Sequence, residues 1–325
     1  MFNGSDTWTL LHAQVHQSLR QRKLLTKKQR LLVAVSGGQD SLCLIKLLLD
    51  LRSRWKWQIA IAHCDHRWSS DVGIADHVEK LAHQWDVPFY VKTAEQLKET
   101  EAAAREWRYQ MLIEIAGEKG FDVIVTGHTK SDRAETFLYN LFRGAGADGL
   151  SALTWKRSLT KEIQLVRPLL DVSRSQTGEF CQQFQLPIWE DAANQNLKYA
   201  RNRIRNDLLP YLQTQFNPQV ETTLAQTAEL LRADVAYLEA SASELLEQAM
   251  TPDAESLNRL CLRHAPLSLQ RRAIRQFLQK HLKRAPTFEQ VEAMTSLINA
   301  PNRTRTPPFP GGKVAEVQGD WIKLG

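Results

Sequence analysis

Hydrophobic and polar residues alternate between two patterns over the first 190 positions. Short apolar runs predict buried strands, and apolar residues at helical spacing predict helices between them. This alternation is typical of βαβ units, so we predict an α/β fold with a doubly wound parallel sheet and helices on both faces. Ligands of such sheets bind beyond the carboxyl ends of the strands. The predicted strands are Leu31–Val35, Trp57–Ala62, Pro88–Val91 and Asp122–Thr126, and the predicted helices are 40–53, Asp71–Trp85, Glu99–Lys119 and Asp132–Phe142.

The strand pattern stops after about residue 215. Val220–Met250, Pro266–Leu282 and Thr287–Leu297 have the spacing of helices, and turn residues after Asn302 precede two short apolar segments. We therefore expect a sheet domain over residues 1–215 and a smaller, mainly helical domain over residues 216–325 that ends in a short hairpin.

The composition is that of a globular protein, with 43% hydrophobic and 24% charged residues. No uncharged apolar run reaches the roughly 18 residues that span a bilayer, and the N-terminus lacks the features of a signal peptide. Cys43, Cys64, Cys181 and Cys261 are scattered, which argues against a disulfide scaffold. We expect a cytoplasmic protein with no membrane partner.

The net charge of +6 becomes informative through its distribution. Six bases and no carboxylate lie between Asp6 and Asp40, and eight bases and no carboxylate lie between Glu255 and Glu289. A third cluster holds three arginines. Each cluster alone is equally well interpreted as a solvated helix face, but three together favour a nucleic acid, whose phosphates Lys and Arg neutralise. The arginines that we single out are Arg201, Arg203, Arg205, Arg271, Arg272 and Arg275.

A glycine-containing loop directly follows the first predicted strand and directly precedes a helix. Glycines let the backbone approach an anion, and the helix N-terminus supplies free N–H groups. The loop lacks the Gly-Lys-Ser/Thr of a Walker A motif and the spacing of a dinucleotide fingerprint. Because a carboxylate would repel phosphate, we expect a Mg²⁺ ion beside Asp40. The loop consists of Ser36, Gly37, Gly38, Gln39, Asp40 and Ser41.

Two further segments carry candidate ligand-binding groups. His63 and Asp65 follow the second strand at the edge where a nucleotide should lie; a metal site is the alternative interpretation. Arg105 and Arg108 share a helix face with Glu101, which suits either a surface ion-pair stripe or a guanidinium pair directed at phosphate or carboxylate.

The segment after the fourth strand contains an imidazole and two carboxylates. If a helix begins at about His128, then His128, Asp132 and Glu135 lie on one face and suit an ammonium-bearing substrate. An N-terminal cap is the alternative role for Asp132.

Taken in order, these motifs resemble the PP-loop ATP pyrophosphatases and, within them, the tRNA(Ile)-lysidine synthetase family. The match extends from Val33 to Pro210, and the chain is similar to the short form of that family. It departs at one position, since many members carry two adjacent acids where Ser131 precedes Asp132 here. The matching motifs are S-G-G-x-D-S, H-x-D-H, A-R-x-x-R-Y, G-H-x-x-x-D-x-x-E-T, R-P-L-L at Arg167–Leu170, and a polar stretch that includes Asp191, Asn194, Tyr199 and Arg201–Arg205.

The resemblance implies that ATP adenylates a wobble cytidine of tRNA(Ile) with a CAU anticodon, and that L-lysine then displaces AMP. It implies that the loop residues, with His63, Asp65 and Arg105, bind ATP, with Asp40 on Mg²⁺. Asp40, Asp132, His128 and Arg108 would be catalytic. The singled-out arginines Arg201, Arg203, Arg205, Arg271, Arg272 and Arg275 would contact tRNA, and a homodimer is compatible with the sequence.

Two alternatives remain open. A 2-thiocytidine-type thiolase would share the ATP loop, although that chemistry usually uses paired cysteines, and the four here are scattered. A non-catalytic RNA-binding protein would not need Asp40, His128 and Asp132.

Overall fold

The computed structural model describes residues 8–68, 71–151, 153–189 and 197–325, with the side chain of Glu101 excepted. Asp191 and Asn194 lie outside the described residues. In the described part, the α-helices are α1 Leu10–Gln21, α2 Gln39–Trp55, α3 Ile74–Gln84, α4 Glu101–Lys119, α5 Lys130–Phe142, α6 Ala147–Leu150, α7 Arg174–Gln183, α8 Ala200–Arg203, α9 Leu209–Gln215, α10 Val220–Ala249, α11 Arg259–Arg263, α12 Leu267–His281 and α13 Phe288–Ser296. A π-helix covers Ile204–Leu208 between α8 and α9, and a 3-10 helix covers Leu297–Asn299 after α13. The strands are β1 Arg30–Ala34, β2 Gln58–Asp65, β3 Phe89–Thr93, β4 Val123–Thr126, β5 Lys156–Ser158, β6 Gln164–Val166, β7 Ser256–Asn258, β8 Ala315–Gln318 and β9 Trp321–Leu324.

The central sheet has the order β3-β2-β1-β4-β6-β5 over the described residues. β1 pairs in parallel with β2 on one side and β4 on the other, so that Leu32 lies between Ala60 and Ile124. Of these six strands, β5 runs antiparallel, against β6. Because the chain order reverses between β1 and β4, a crevice opens at their carboxyl ends. The predicted α/β fold class is confirmed.

Alternating side chains of β1 build two cores. Leu31 and Val33 face a core that includes α1, α2, α3 and α7 residues, whereas Leu32 faces one with Leu112 and Ile115 of α4. Helices therefore cover both faces of the sheet, as the uninterrupted apolar strands require. The sequence pattern did not predict α1, α7 or the β5–β6 pair.

Two compact units make up the chain, Met1–Glu229 and Leu230–Gly325. The division falls within α10, beyond the expected boundary at residue 215. The second unit has its own core, formed by α12, α13 and the antiparallel strands β7, β9 and β8. Among the described residues, no helix is long and apolar enough to cross a membrane.

Candidate active site

A cavity of about 340 Å³ opens at the carboxyl ends of β1, β2 and β4, within the first unit. It lies at the point where the sheet order reverses. Its walls come from the loop after β1, the helices α4 and α5, the start of α7 and the segment around α8. The predicted residues in its lining are Ser36, Gly38, Gln39, Asp40, Ser41, His63, Arg105, Arg108, His128, Asp132, Arg201 and Arg205.

The loop between β1 and α2 is shaped by its serines and by one glycine. The N–H of Ser36 donates to Oγ of Ser41 at 3.2 Å, and that hydroxyl donates to the carbonyl of Gly38 at 2.8 Å. Gly37 has φ +82°, and a Cβ there would lie 3.2 Å from Ile74. The left-handed backbone and the close packing both favour glycine. Gly38 is the N-cap of α2 and lines the cavity, so the N-terminus of α2, with the N–H groups of its first turn, lies at the cavity.

A close backbone approach joins this loop to β4. A Cβ at Gly127 would lie 2.9 Å from the carbonyl oxygen of Asp40 and 3.2 Å from Cα of Ser41. Neither neighbour is a flexible side-chain end, so only glycine fits. The approach places the end of β4 against the start of α2.

Asp40 is held by two residues of α7 that the sequence motifs did not single out. Its Oδ1 accepts from Thr177 at 2.5 Å, and its Oδ2 lies 3.4 Å from Nη1 of Arg174. Burial raises the pKa of Asp40, the charge of Arg174 lowers it, and the nearby charge of Asp132 raises it; the net direction is upward. Gln39 points at the same helix, since its Nε2 donates to the carbonyl of Arg174 at 2.6 Å.

The donor set suits a magnesium ion shared with phosphate. No cluster of three His, Cys, Asp or Glu side chains suited to a metal occurs in the described ranges. Mg²⁺ commonly uses one or two carboxylates and completes its shell with substrate phosphates and water. Asp40, on a wall of the cavity and beside the phosphate-binding loop, supplies one such carboxylate.

α5 contributes two acidic side chains, Asp132 and Glu135, and Arg205 contacts both of them. The Nε and Nη2 of Arg205 donate to the two oxygens of Glu135 at 2.6 and 2.8 Å, and Nη2 lies 3.4 Å from Oδ1 of Asp132. Burial raises the pKa of Glu135 to about 6 despite this pairing. Burial would also raise the pKa of Asp132, but His128, the N–H of Thr129 and Arg205 outweigh it and lower that pKa.

The start of α5 differs from the sequence expectation. The helix begins at Lys130, and Thr129 forms a capping box with Asp132. Asp132 is thus the third-position partner in this capping box, whereas Thr129 is the N-cap itself: Oδ2 of Asp132 accepts from the N–H of Thr129 at 2.7 Å, and its Oδ1 faces Arg205. His128 precedes the helix, and its Nδ1 lies 2.9 Å from the hydroxyl of Thr126. Burial lowers the pKa of His128, so it is neutral at physiological pH.

α4 brings a guanidinium pair to the opposite wall. Arg105 and Arg108 both line the cavity, and Arg105 also lies over the ring of Tyr109 at 5.1 Å. Burial would raise the pKa of Tyr109, but the cations Arg105 and Arg167 outweigh it and lower that pKa. Arg167 itself is buried and donates to the carbonyl of Thr154 at 2.7 Å. These contacts give the wall a positive potential.

The side chains at the end of β2 lie in different environments, one buried at the cavity and one outside it. His63 is buried with its Nδ1 2.8 Å from the carbonyl of Val35, and burial lowers its pKa. Asp65 is not in the cavity lining; its Oδ1 accepts from the N–H of Arg67 at 2.8 Å and forms a turn. His66 lines the cavity instead, so the expected role of Asp65 in binding ATP has no geometric support from this contact.

The six singled-out arginines occupy different environments. Arg201 and Arg205 face the cavity, whereas Arg203 donates to the carbonyls of Leu197 and Lys198 at 2.8 and 3.0 Å. In the second unit, Arg271 pairs with Glu292 at 2.6 Å, and Arg272 and Arg275 both pair with Glu239. Three of the six thus brace their surroundings with ion pairs within the second unit.

A family match and a solved structure of similar fold first define the class of protein. Residues 10–212 match the PP-loop domain family. The fold resembles the U34-tRNA thiolase NcsA of Methanococcus maripaludis with a TM-score of 0.58 at 17% identity, covering 68% of this chain and 77% of that one. The fold and the loop at the sheet's reversal point are those of a PP-loop protein.

Sequence relatives narrow this class to one family. Residues 257–320 match the TilS substrate binding domain. The chain is 59% identical to the tRNA(Ile)-lysidine synthase of Nostoc sp., covering 98% of this chain and 97% of that protein. It is 53% identical to the enzyme of the same name from Synechocystis sp., with 97% and 98% covered. The chain belongs to the tRNA(Ile)-lysidine synthase family.

Proposed function

We propose that this protein uses ATP to join L-lysine to C2 of the wobble cytidine in a tRNA(Ile) with a CAU anticodon. AMP and pyrophosphate are the other products. The observation that carries the proposal is the convergence, in one cavity, of a phosphate-binding loop, an acid pair on α5 and a guanidinium pair on α4. These groups suit a triphosphate, an ammonium and a carboxylate, respectively.

In the first step, O2 of the cytosine attacks the α-phosphorus of ATP. The N-terminus of α2 and the hydroxyls of Ser36 and Ser41 hold the phosphates that leave as pyrophosphate. Asp40 would bind Mg²⁺, which supplies positive charge to the phosphates when bound. Neutral His128 can donate one hydrogen bond to the base or to the α-phosphate without adding a charge.

In the second step, the ε-amine of lysine attacks C2 and AMP leaves. Asp132, whose pKa is lowered, stays ionised and holds the ammonium. Glu135, whose pKa is about 6, is suited to take the proton that makes the amine nucleophilic. Arg108 binds the lysine carboxylate, and Arg105 completes the positive wall.

The second unit supplies the tRNA contacts in this proposal. It contains the match to a substrate binding domain, and its acid-free segment between Glu255 and Glu289 is strongly basic. Arg271 keeps 41% of its side chain exposed while it pairs with Glu292, so its outer edge can still meet a phosphate.

Pyrophosphate release tests the proposal. The protein is mixed with ATP and a tRNA(Ile) transcript, and AMP and pyrophosphate are measured with each amino acid in turn. We expect AMP formation that needs lysine and is lost when the wobble cytidine is replaced. AMP formation that ignores lysine but follows a sulfur donor would favour the thiolase. The buried thiol of Cys64 makes that outcome less favourable, because burial raises its pKa to about 12.

A further inference from the structure

Arg174 stands at the first position of α7, opposite the phosphate-binding loop. Its backbone is fixed on both sides: its N–H donates to Oγ of Ser131 at 3.2 Å, and its carbonyl accepts from Gln39 at 2.6 Å. Its side chain lines the cavity and is 38% exposed. A fixed backbone with a long, half-exposed side chain lets the guanidinium reach different points of the cavity.

The contact between Arg174 and Asp40 is loose. A single nitrogen lies 3.4 Å from a single carboxylate oxygen, whereas Arg205 binds Glu135 through two bonds of 2.6 and 2.8 Å. Arginine forms its strong pairs as two parallel bonds, so the guanidinium of Arg174 has most of its donors left for a second anion.

We propose that Arg174 is a catalytic residue that binds the pyrophosphate leaving group. Without nucleotide it offsets the charge of Asp40; with nucleotide bound, its guanidinium turns to the β- and γ-phosphates beside Ser36 and Ser41. The inference rests on the proposed function, because it assigns a residue to the first step of that reaction.

The first step creates negative charge on the departing pyrophosphate, so a cation beside that group would favour the reaction. A bond forms between the cytosine oxygen and the α-phosphorus, and the bond from that phosphorus to the bridging oxygen breaks. The bridging oxygen takes the electron pair and leaves on pyrophosphate, which gains one negative charge. A guanidinium already positioned at the departing group stabilises that charge as it develops.

Calorimetric titration of pyrophosphate into the whole protein tests the proposal, with and without Mg²⁺. Arg174→Gln should weaken pyrophosphate binding about 10- to 100-fold, the effect of losing charged hydrogen bonds. Arg174→Lys keeps the charge and should lose less. Arg52→Gln, an exposed arginine in the last turn of α2, is the matched control and should bind like the unaltered protein.

The Asp40→Asn background separates direct binding from charge compensation. If Arg174 contacts pyrophosphate, then Arg174→Gln weakens binding by a similar factor with and without the Asp40→Asn substitution when Mg²⁺ is left out. If Arg174 only offsets Asp40, the loss disappears in the Asp40→Asn background, and the proposal is overturned. Thermal midpoints confirm that each variant is folded. Since pyrophosphate binding requires neither tRNA nor lysine, failure of lysine ligation would leave this result standing and count against the proposed function alone.

Discussion

Replacing Arg205 by methionine removes the cation that joins Asp132 and Glu135. The side chain of Glu135 is 3% exposed and that of Arg205 is 22% exposed, so the pair is shielded from water. Removing one partner of a buried ion pair costs about 3–5 kcal/mol, because the other charge stays buried without compensation. We expect Arg205→Met to lower the free energy of unfolding of the first unit by about 3 kcal/mol at pH 7.

The pH dependence of this loss follows from the pKa of Glu135. That pKa is already raised to about 6 by burial, and loss of Arg205 raises it further. The folded variant therefore takes up a proton that the unfolded chain, with its ordinary glutamate pKa, does not. Protonation removes the buried charge, so the stability loss should be largest above pH 7 and should shrink as the pH falls below the raised pKa.

Urea unfolding followed by tryptophan fluorescence measures the effect. Eight of the nine tryptophans precede residue 230, so the signal reports mainly on the first unit. Arg203→Met is the matched control, since Arg203 is exposed and donates to backbone carbonyls rather than to a buried acid; its loss should stay within about 1 kcal/mol. Adding Glu135→Gln to Arg205→Met should restore much of the stability. A loss below about 1 kcal/mol, or one independent of pH, would show that the buried charge of Glu135 does not depend on Arg205 for compensation.

Four further predictions concern the loop, the acid pair and the second unit. Gly127→Ala should lower the thermal midpoint and weaken ATP binding, because its Cβ meets the Asp40 carbonyl; unchanged ATP affinity would contradict the close approach. Asp132→Asn should raise the KM for lysine while ATP binding persists, and full lysine-dependent AMP formation would remove its role. The kcat/KM for lysine should rise through about pH 6 as Glu135 ionises, and Glu135→Gln should abolish that rise. Alanine at Arg271, Arg272 and Arg275 together should weaken tRNA binding and flatten its salt dependence; an unchanged salt slope would leave these arginines only their ion pairs.

Local patterns in the sequence predict the central sheet and its phosphate-binding loop well. Four buried strands and the helices between them are encoded in runs of a few residues each, and Gly37 sits where the loop needs a left-handed backbone. Hydrophobic periodicity did not predict the β5–β6 pair, because each of its strands is three residues long and too short to show a pattern.

The ion pairs of the site depend on the tertiary fold. Thr177 reaches Asp40 across 137 positions, and Arg205 reaches Glu135 across 70. Arg203 turns away from the cavity that Arg205 faces, although the two arginines belong to one motif. Motif spacing gives no sign of which carboxylate an arginine meets. Motif spacing did not single out Arg174 either, because its contact with Asp40 also depends on the tertiary fold. Its position shortly after R-P-L-L, directly after Ser173, which caps α7, could have marked it as a candidate.

Incorporation of labelled lysine into tRNA is the direct test of lysidine formation by this protein. Purified protein is incubated with ATP, labelled lysine and two tRNA(Ile) transcripts that differ only at the wobble position, and the tRNA is digested to nucleosides. We expect a lysine-bearing cytidine at the wobble position of the CAU transcript, one AMP per lysine incorporated, and no label in the other transcript. Pyrophosphate release with no lysine in the tRNA, or label in both transcripts, would contradict it.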